Sequence, residues 1–194
     1  GELDNEGFIS LQKQSGFEWK LSDTAAEFGN GSFFLNNFEA GNKNVSSFRL
    51  PRMDLSGLQS PELKFEMAFA TIGQDSDDRL EIFFSTDCGK TWTKRKVIFS
   101  FLAKTSENET ELFVPTADEW KTENVTLPSE PNVLVRFDWN SSEGGNNTYI
   151  DNIRMNWSVG KPDEPERSNA IAVYPNPTSG IVNIKNEGKT VNGT

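Results

Sequence analysis

The stretch FFSTDCGKTW, residues 83–92, decides how this chain is read. It holds the single cysteine, Cys88, between Asp87 and Gly89, with Ser85, Thr91 and Trp92 close by. A reactive thiol needs a lowered pKa from a neighbouring base or a cationic setting. The chain contains no histidine, and Lys90 alone is a thin basis. Apolar runs flank TDCGK on both sides. Asp87 can hydrogen-bond the backbone beyond it, and Gly89 can take a positive φ, which is the chemistry of a tight connection between two strands. The stretch therefore reads as a structural turn, with Trp92 expected to anchor the next strand in the core.

Working outward, residues alternate apolar and polar with a period of two, and no sustained helical period appears. Strands are expected at 32–38, 63–70, 79–85, 91–99, 120–127, 132–139 and 148–157. Leu63, Phe65, Met67 and Phe69 share one face of theirs, as do Val133, Val135, Phe137 and Trp139. Segment 100–119 lacks a period and is expected to wander as a long loop. Strands at short spacing with turn signals between them imply an all-β jelly-roll β-sandwich of two antiparallel sheets. The sandwich is expected over 1–157. The charged, proline-containing stretch 158–169 reads as a linker, and 170–194 as a short strand segment too small to fold alone.

Composition narrows the function classes. The 15 Phe and 5 Trp can fill one core. A net charge of −10 argues against nucleic acid and anionic lipid as partners. The absence of histidine excludes Ser-His-Asp and Cys-His catalysis and every His-ligated metal. One cysteine excludes an internal disulfide framework and a Cys-cluster zinc site. No apolar run is long enough for a spanning helix, so no membrane insertion is expected, and a monomer is expected. The chain opens without a signal-peptide pattern and reads as a piece of a longer protein.

STDCGKTW (85–92) closely resembles the Ser-x-Asp-Cys-Gly-x-Thr-Trp signature of a MAM-like jelly-roll module of secreted bacterial proteins, which often follows a pappalysin-like metalloprotease domain. Other pieces fall in the family's order: GNGSFFLNNF (29–38), LPRMDLSGLQSPELKFEMAFA (50–70), DRLEIFFSTD (78–87), FVPTADEWKTENVTL (113–127) and NNTYIDNI (146–153). The match covers about residues 1–157. The family opens with Phe-Glu before a Gly-Trp strand; here EGFIS (6–10) stands for the latter and Glu2 for a remnant of the former.

The resemblance implies a structural Ca²⁺ held by Asp151 and Glu2, with Asn36 and Asn37 as amide contributors. Calcium takes six to eight hard oxygens at about 2.3–2.6 Å, which loop carboxylates and amides supply. The alternative for Asp151 is a turn cap accepting backbone hydrogen bonds. VYPNPTSGIVNI (173–184) is similar to the start of a type IX secretion C-terminal sorting domain, through Tyr174, Pro175, Asn176, Pro177 and Gly180. That implies contact with type IX secretion machinery and export across the outer membrane of a Gram-negative bacterium, followed by release or surface attachment.

The function expected is a noncatalytic adhesion module that binds a protein or polysaccharide through loops at one rim, 71–78, 100–119 and 140–147. Asp75, Asp77 and Asp78 in the acidic loop DSDD are the candidate contact residues, the other reading being a solvated loop in which Asp78 orders the next strand. Trp19, Trp120, Trp139 and Trp157 read as core residues rather than a sugar-stacking platform. Two further readings stand beside this one. The first is a hydrolase using paired carboxylates, for which Glu62/Glu66 and Glu107/Glu109 are weak candidates. The second is a structural spacer that binds nothing.

Overall fold

Twelve strands and one helical turn lie within the residues that the computed structural model describes, 10–12, 17–39, 44–73, 76–158 and 169–172. They are β1 (Ser10–Gln12), β2 (Lys20–Ser22), β3 (Ser32–Leu35), β4 (Val45–Arg49), β5 (Gln59–Thr71), β6 (Arg79–Ser85) and β7 (Thr93–Phe99). A single helical turn, α1 (Ser100–Ala103), follows, then β8 (Ser106–Glu107), β9 (Lys121–Thr126), β10 (Leu134–Asn140), β11 (Gly145–Ser158) and β12 (Asn169–Ala172). One sheet has the order β1-β4-β10-β6-β7. The other runs β2-β3-β11-β5, with β9 antiparallel and the two-residue β8 parallel beside β5, and β12 beside β11. The protein is a jelly-roll β-sandwich, as the alternation predicts.

The inward residues of both sheets meet in one aromatic core. Phe48 of β4 stacks on Phe137 of β10 at 4.6 Å and on Phe33 of β3 at 4.9 Å. Phe65 and Trp19 meet these rings edge-on, and Phe69 packs against Trp139. Stacked and edge-on pairs add to the area each ring removes from water. Because side chains alternate across a strand, Val135, Phe137 and Trp139 facing in puts Arg136, Asp138 and Asn140 on the outer face of the first sheet.

The outer face of the second sheet is covered. Ala68, Ala70 and Tyr149 there pack under Ala25 and Phe113, with Phe34 and Trp120 against them. The lid is segment 108–120, and the Asn146 side chain pins it. Its Nδ2 donates to the Glu109 and Glu111 carbonyls, and its Oδ1 accepts the Phe113 N–H. The Tyr149 hydroxyl donates to the Phe113 carbonyl at 2.9 Å, and burial pushes its pKa up to about 12. Segment 100–119 is therefore not a wandering loop. It carries α1, β8 and a roof over a sheet face, and it lacks a period because only Phe113 and Trp120 need to point inward.

Candidate functional site

The FFSTDCGKTW stretch forms a turn wired by its own hydroxyls and carboxylate. Ser85 Oγ donates to Asp87 Oδ1 at 2.7 Å and accepts the Gly89 N–H at 2.9 Å. Asp87 Oδ1 accepts the Thr91 N–H at 2.9 Å, and Oδ2 accepts the Thr91 hydroxyl at 2.6 Å. Those bonds, from Thr91 first and Ser85 next, hold the Asp87 carboxyl well below the usual carboxylate range. Cys88 and Gly89 at the apex have φ of 62° and 83°, and Cys88 is exposed.

Trp92 does not enter the core. It lies on the outer face of the first sheet, where the Arg136 guanidinium sits 4.5 Å from its ring. The cause is a bulge. Ile82 pairs with Lys96, but Phe83 pairs with Lys94, so one residue of β7 is inserted at Arg95. An inserted residue reverses which face each later or earlier side chain takes. Ile98 faces in, and without the bulge Trp92 would too.

The outer face of the first sheet then reads as three rows across β4, β10, β6 and β7. The first is Arg49, Arg136, Phe83 and Lys94; the second Ser47, Asp138, Glu81 and Val97; the third Val45, Asn140, Arg79 and Phe99. Arg136 Nε donates to Asp138 Oδ1 at 2.8 Å, and its guanidinium lies 4.7 Å from the Phe83 ring centre. Glu81 pairs with Arg79 at 2.9 Å and Lys94 at 2.8 Å. Burial pushes the Glu81 pKa up, but the two cations outweigh it and hold the carboxyl below its ordinary value. At the far end of β7, Phe99 stacks on Phe101 at 5.9 Å, and the two rings are 46% and 67% exposed. Aromatic side chains thus bound both ends of a polar face that no described segment roofs, the Phe83 row and the Phe99 row lying four residues, about 14 Å, apart.

The three rim loops do converge. The Ile72 N–H bonds the Gly144 carbonyl, the Glu109 N–H bonds Thr71, and the Ser100 N–H bonds Asp78. Asp78 is the hub and is fully buried. Its carboxylate accepts the Asn37 amide at 2.9 Å, the Ser142 N–H and hydroxyl at 3.1 Å each, and the Ser76 hydroxyl. This corrects the expectation that Asp78 contacts a ligand: a buried, fully hydrogen-bonded carboxylate braces the loops. Asp77 is exposed, its N–H bonded to Ser142 Oγ. Asp75 lies outside the described residues.

The residues expected to share a calcium ion are not assembled. Asp151 Oδ2 accepts the N–H groups of Glu27 and Phe28, both at 2.9 Å, and Oδ1 accepts that of Asn152. Burial pushes its pKa up, these three N–H groups oppose the shift, and the nearby Glu66 adds to it. Asn36 bonds Glu39, while Asn37 belongs to the Asp78 hub. The donors around Asp151 are N–H groups rather than oxygens, and among the described residues no three His, Cys, Asp or Glu side chains group to hold a metal. The buried Asn37 Oδ1 has no hydrogen-bond partner among the described residues, and Glu2 lies outside them.

The remaining candidates sort simply. Trp19 and Trp139 are fully buried, Trp157 packs against the main core and Trp120 against the lid cluster. Glu62 is held by Lys64 and Asn124, Glu66 by Arg154 and Thr122, Glu107 by Lys104 and Glu109 by Ser106. Tyr174, Pro175, Asn176, Pro177 and Gly180 lie outside the described residues, as does most of 158–169. No described helix is long and apolar enough to cross a membrane.

No protein-family model matches the chain, and no curated protein sequence matches it. Solved structures do. The K2 cleaved adhesin domain of Lys-gingipain is similar at 12% identity and a TM-score of 0.50, over 78% of this chain and 89% of that one. A promiscuous carbohydrate-binding module of the β-sandwich superfamily is similar at 13% identity and a TM-score of 0.50, over 77% of this chain and 56% of that one. The K1 cleaved adhesin domain of Lys-gingipain from Porphyromonas gingivalis W83 gives 14% identity and a TM-score of 0.49, over 76% and 88%. At these identities the likeness is one of fold.

Proposed function

We propose that this chain is a noncatalytic recognition module of an extracellular or surface protein, and that it holds a polysaccharide against the open face of its first sheet. One observation carries this reading. Of the two outer sheet faces, one is roofed by segment 108–120. The other presents Trp92, Phe83, Arg136, Asp138, Glu81, Arg79 and the exposed Phe99–Phe101 pair. Sugar recognition needs this combination, with flat apolar rings for the sugar faces and fixed polar groups for the hydroxyls. The carbohydrate binding and adhesion named for the structural neighbours support it as an analogy of fold. The rigid rim loops border the same face and would limit how far a chain can run along it. The MAM-like resemblance and the sorting signature at 174–180 support the extracellular setting.

The test is affinity electrophoresis of the purified chain through gels containing neutral and acidic polysaccharides, with reducing ends assayed in parallel. Retardation by at least one glycan, abolished by Phe99→Ala with Phe101→Ala or by Trp92→Ala, and no new reducing ends, is the expected result. Free migration through every gel would remove the reading. Release of reducing ends would revive the hydrolase.

A further inference from the structure

The open face is cationic on an acidic protein. Among the described residues Arg79, Lys94 and Arg136 stand there with Glu81 and Asp138, three positive charges against two negative, while the chain as a whole carries −10. The acids lie side by side in the middle row. The first row sets Arg49, Arg136 and Lys94 in register across the sheet with only Phe83 between them.

Arg136 is the best organised of these cations. Its guanidinium stacks on both Phe83 and Trp92, and its Nε is committed to Asp138. Its two terminal nitrogens make no hydrogen bond to any described residue, and the side chain remains 24% exposed. Stacking and the Nε bond fix the plane of the fork before any ligand arrives, so little side-chain entropy remains to be lost on binding. A planar fork with two free nitrogens matches a carboxylate or a sulfate, and a neutral sugar hydroxyl matches it far less well. Lys94, its Nζ 5.3 Å from the same Phe83 ring and 2.8 Å from Glu81 Oε2, lies beside it.

We propose that the ligand is an anionic polysaccharide, with the acidic group of one sugar in the Arg136 fork and neighbouring sugars running along β7 toward Phe99 and Phe101. This rests on the sheet-face reading above and narrows it to a substrate class. The wiring of FFSTDCGKTW and the Arg95 bulge then have a common result: together they put Trp92 and Lys94 beside Arg136.

Calorimetric titration with four probes tests it: polygalacturonate for carboxylates, κ-carrageenan for sulfates, β-galactan as a neutral glycan, and poly-L-glutamate as a polyanion without sugar. At least one acidic glycan should bind, more weakly as salt rises, and more tightly than galactan or polyglutamate. Arg136→Gln should weaken it by about ten- to a hundred-fold, with an unchanged circular dichroism spectrum and melting cooperativity. Lys94→Gln, on a more exposed side chain, should weaken it by a smaller factor. Which acidic glycan binds tells carboxylate from sulfate. Galactan binding that is indifferent to salt and to Arg136→Gln would overturn the proposal and leave the sheet-face module standing. Equal binding of polyglutamate would also overturn it. No binding by any glycan would remove both.

Discussion

Gly145 opens β11 at the point where the rim loops meet, and replacing it with alanine is the sharpest test of the buried Asp78 hub. A Cβ built there would stand 2.3 Å from Asp78 Oδ2, 2.4 Å from Asn37 Nδ2 and 2.6 Å from Asp78 Cγ, whereas real Cβ atoms essentially never approach within 3.0 Å. The carboxylate must therefore retreat by about 1 Å from four hydrogen bonds that hold it in a buried position. Overpacking a filled site costs about 1–3 kcal/mol, and losing one hydrogen bond to a buried charge adds about 1.5–3 kcal/mol. We expect a total near 4 kcal/mol, which in a domain of this size lowers Tm by about 8–16 °C. Gly57→Ala is the control. Its φ of +79° strains any side chain, but nothing lies within 4 Å of the new Cβ, so its cost should stay at about 1–2 kcal/mol. Urea unfolding of both variants gives the two numbers. A Gly145→Ala cost below about 1 kcal/mol, or one no larger than that of Gly57→Ala, would refute the hub.

Four further outcomes follow from the same geometry. Phe137→Ala removes the ring on which Phe48 stacks and Phe65 abuts and should cost about 3–5 kcal/mol by denaturant unfolding. The Asp87 carboxyl, depressed in the folded state, should titrate below the ordinary value of about 3.9 by carbon NMR; the stability it contributes is present above that value and is lost as pH falls through the depressed folded one, and a normal midpoint would contradict the wired turn. Asp151→Ala frees three backbone N–H groups and should cost about 2–3 kcal/mol, equally in EDTA and in millimolar calcium. A calcium stabilisation near 4 kcal/mol that vanishes with Asp151 would instead place an ion there, with oxygens from outside the described residues. Cys88→Ser, at an exposed turn apex, should leave Tm and binding within error, since surface changes cost under about 0.5 kcal/mol.

Strands with clean alternation were legible from sequence. β6 and β10 show it plainly, and β6 falls at 79–85 as expected. β4 escaped because its pattern is disguised: Ser46 and Ser47 are buried while Val45 is exposed, so hydropathy points the wrong way. The Arg95 bulge was invisible because register belongs to the paired strand, and one inserted residue sent Trp92 from the expected core to the outer face. Asp78 and Asp151 were found as notable carboxylates, but their roles depend on loops more than 60 residues distant in sequence. Only the fold brings such partners together. The open face was missed altogether, since its rows combine one residue from each of four strands.

The order of strands within the sheets also bears on how the chain acquires its shape. β10 lies between β4 and β6, and β11 between β3 and β5, so the middle of each sheet is filled by a strand made after both of its neighbours. Until residue 140 has emerged the first sheet lacks its centre, and until residue 158 has emerged the second does. Folding that waits on such distant pairings is slow. A chain read from its N-terminus would stay pliant through most of its length, then close late as β10 and β11 complete the two sheets in turn.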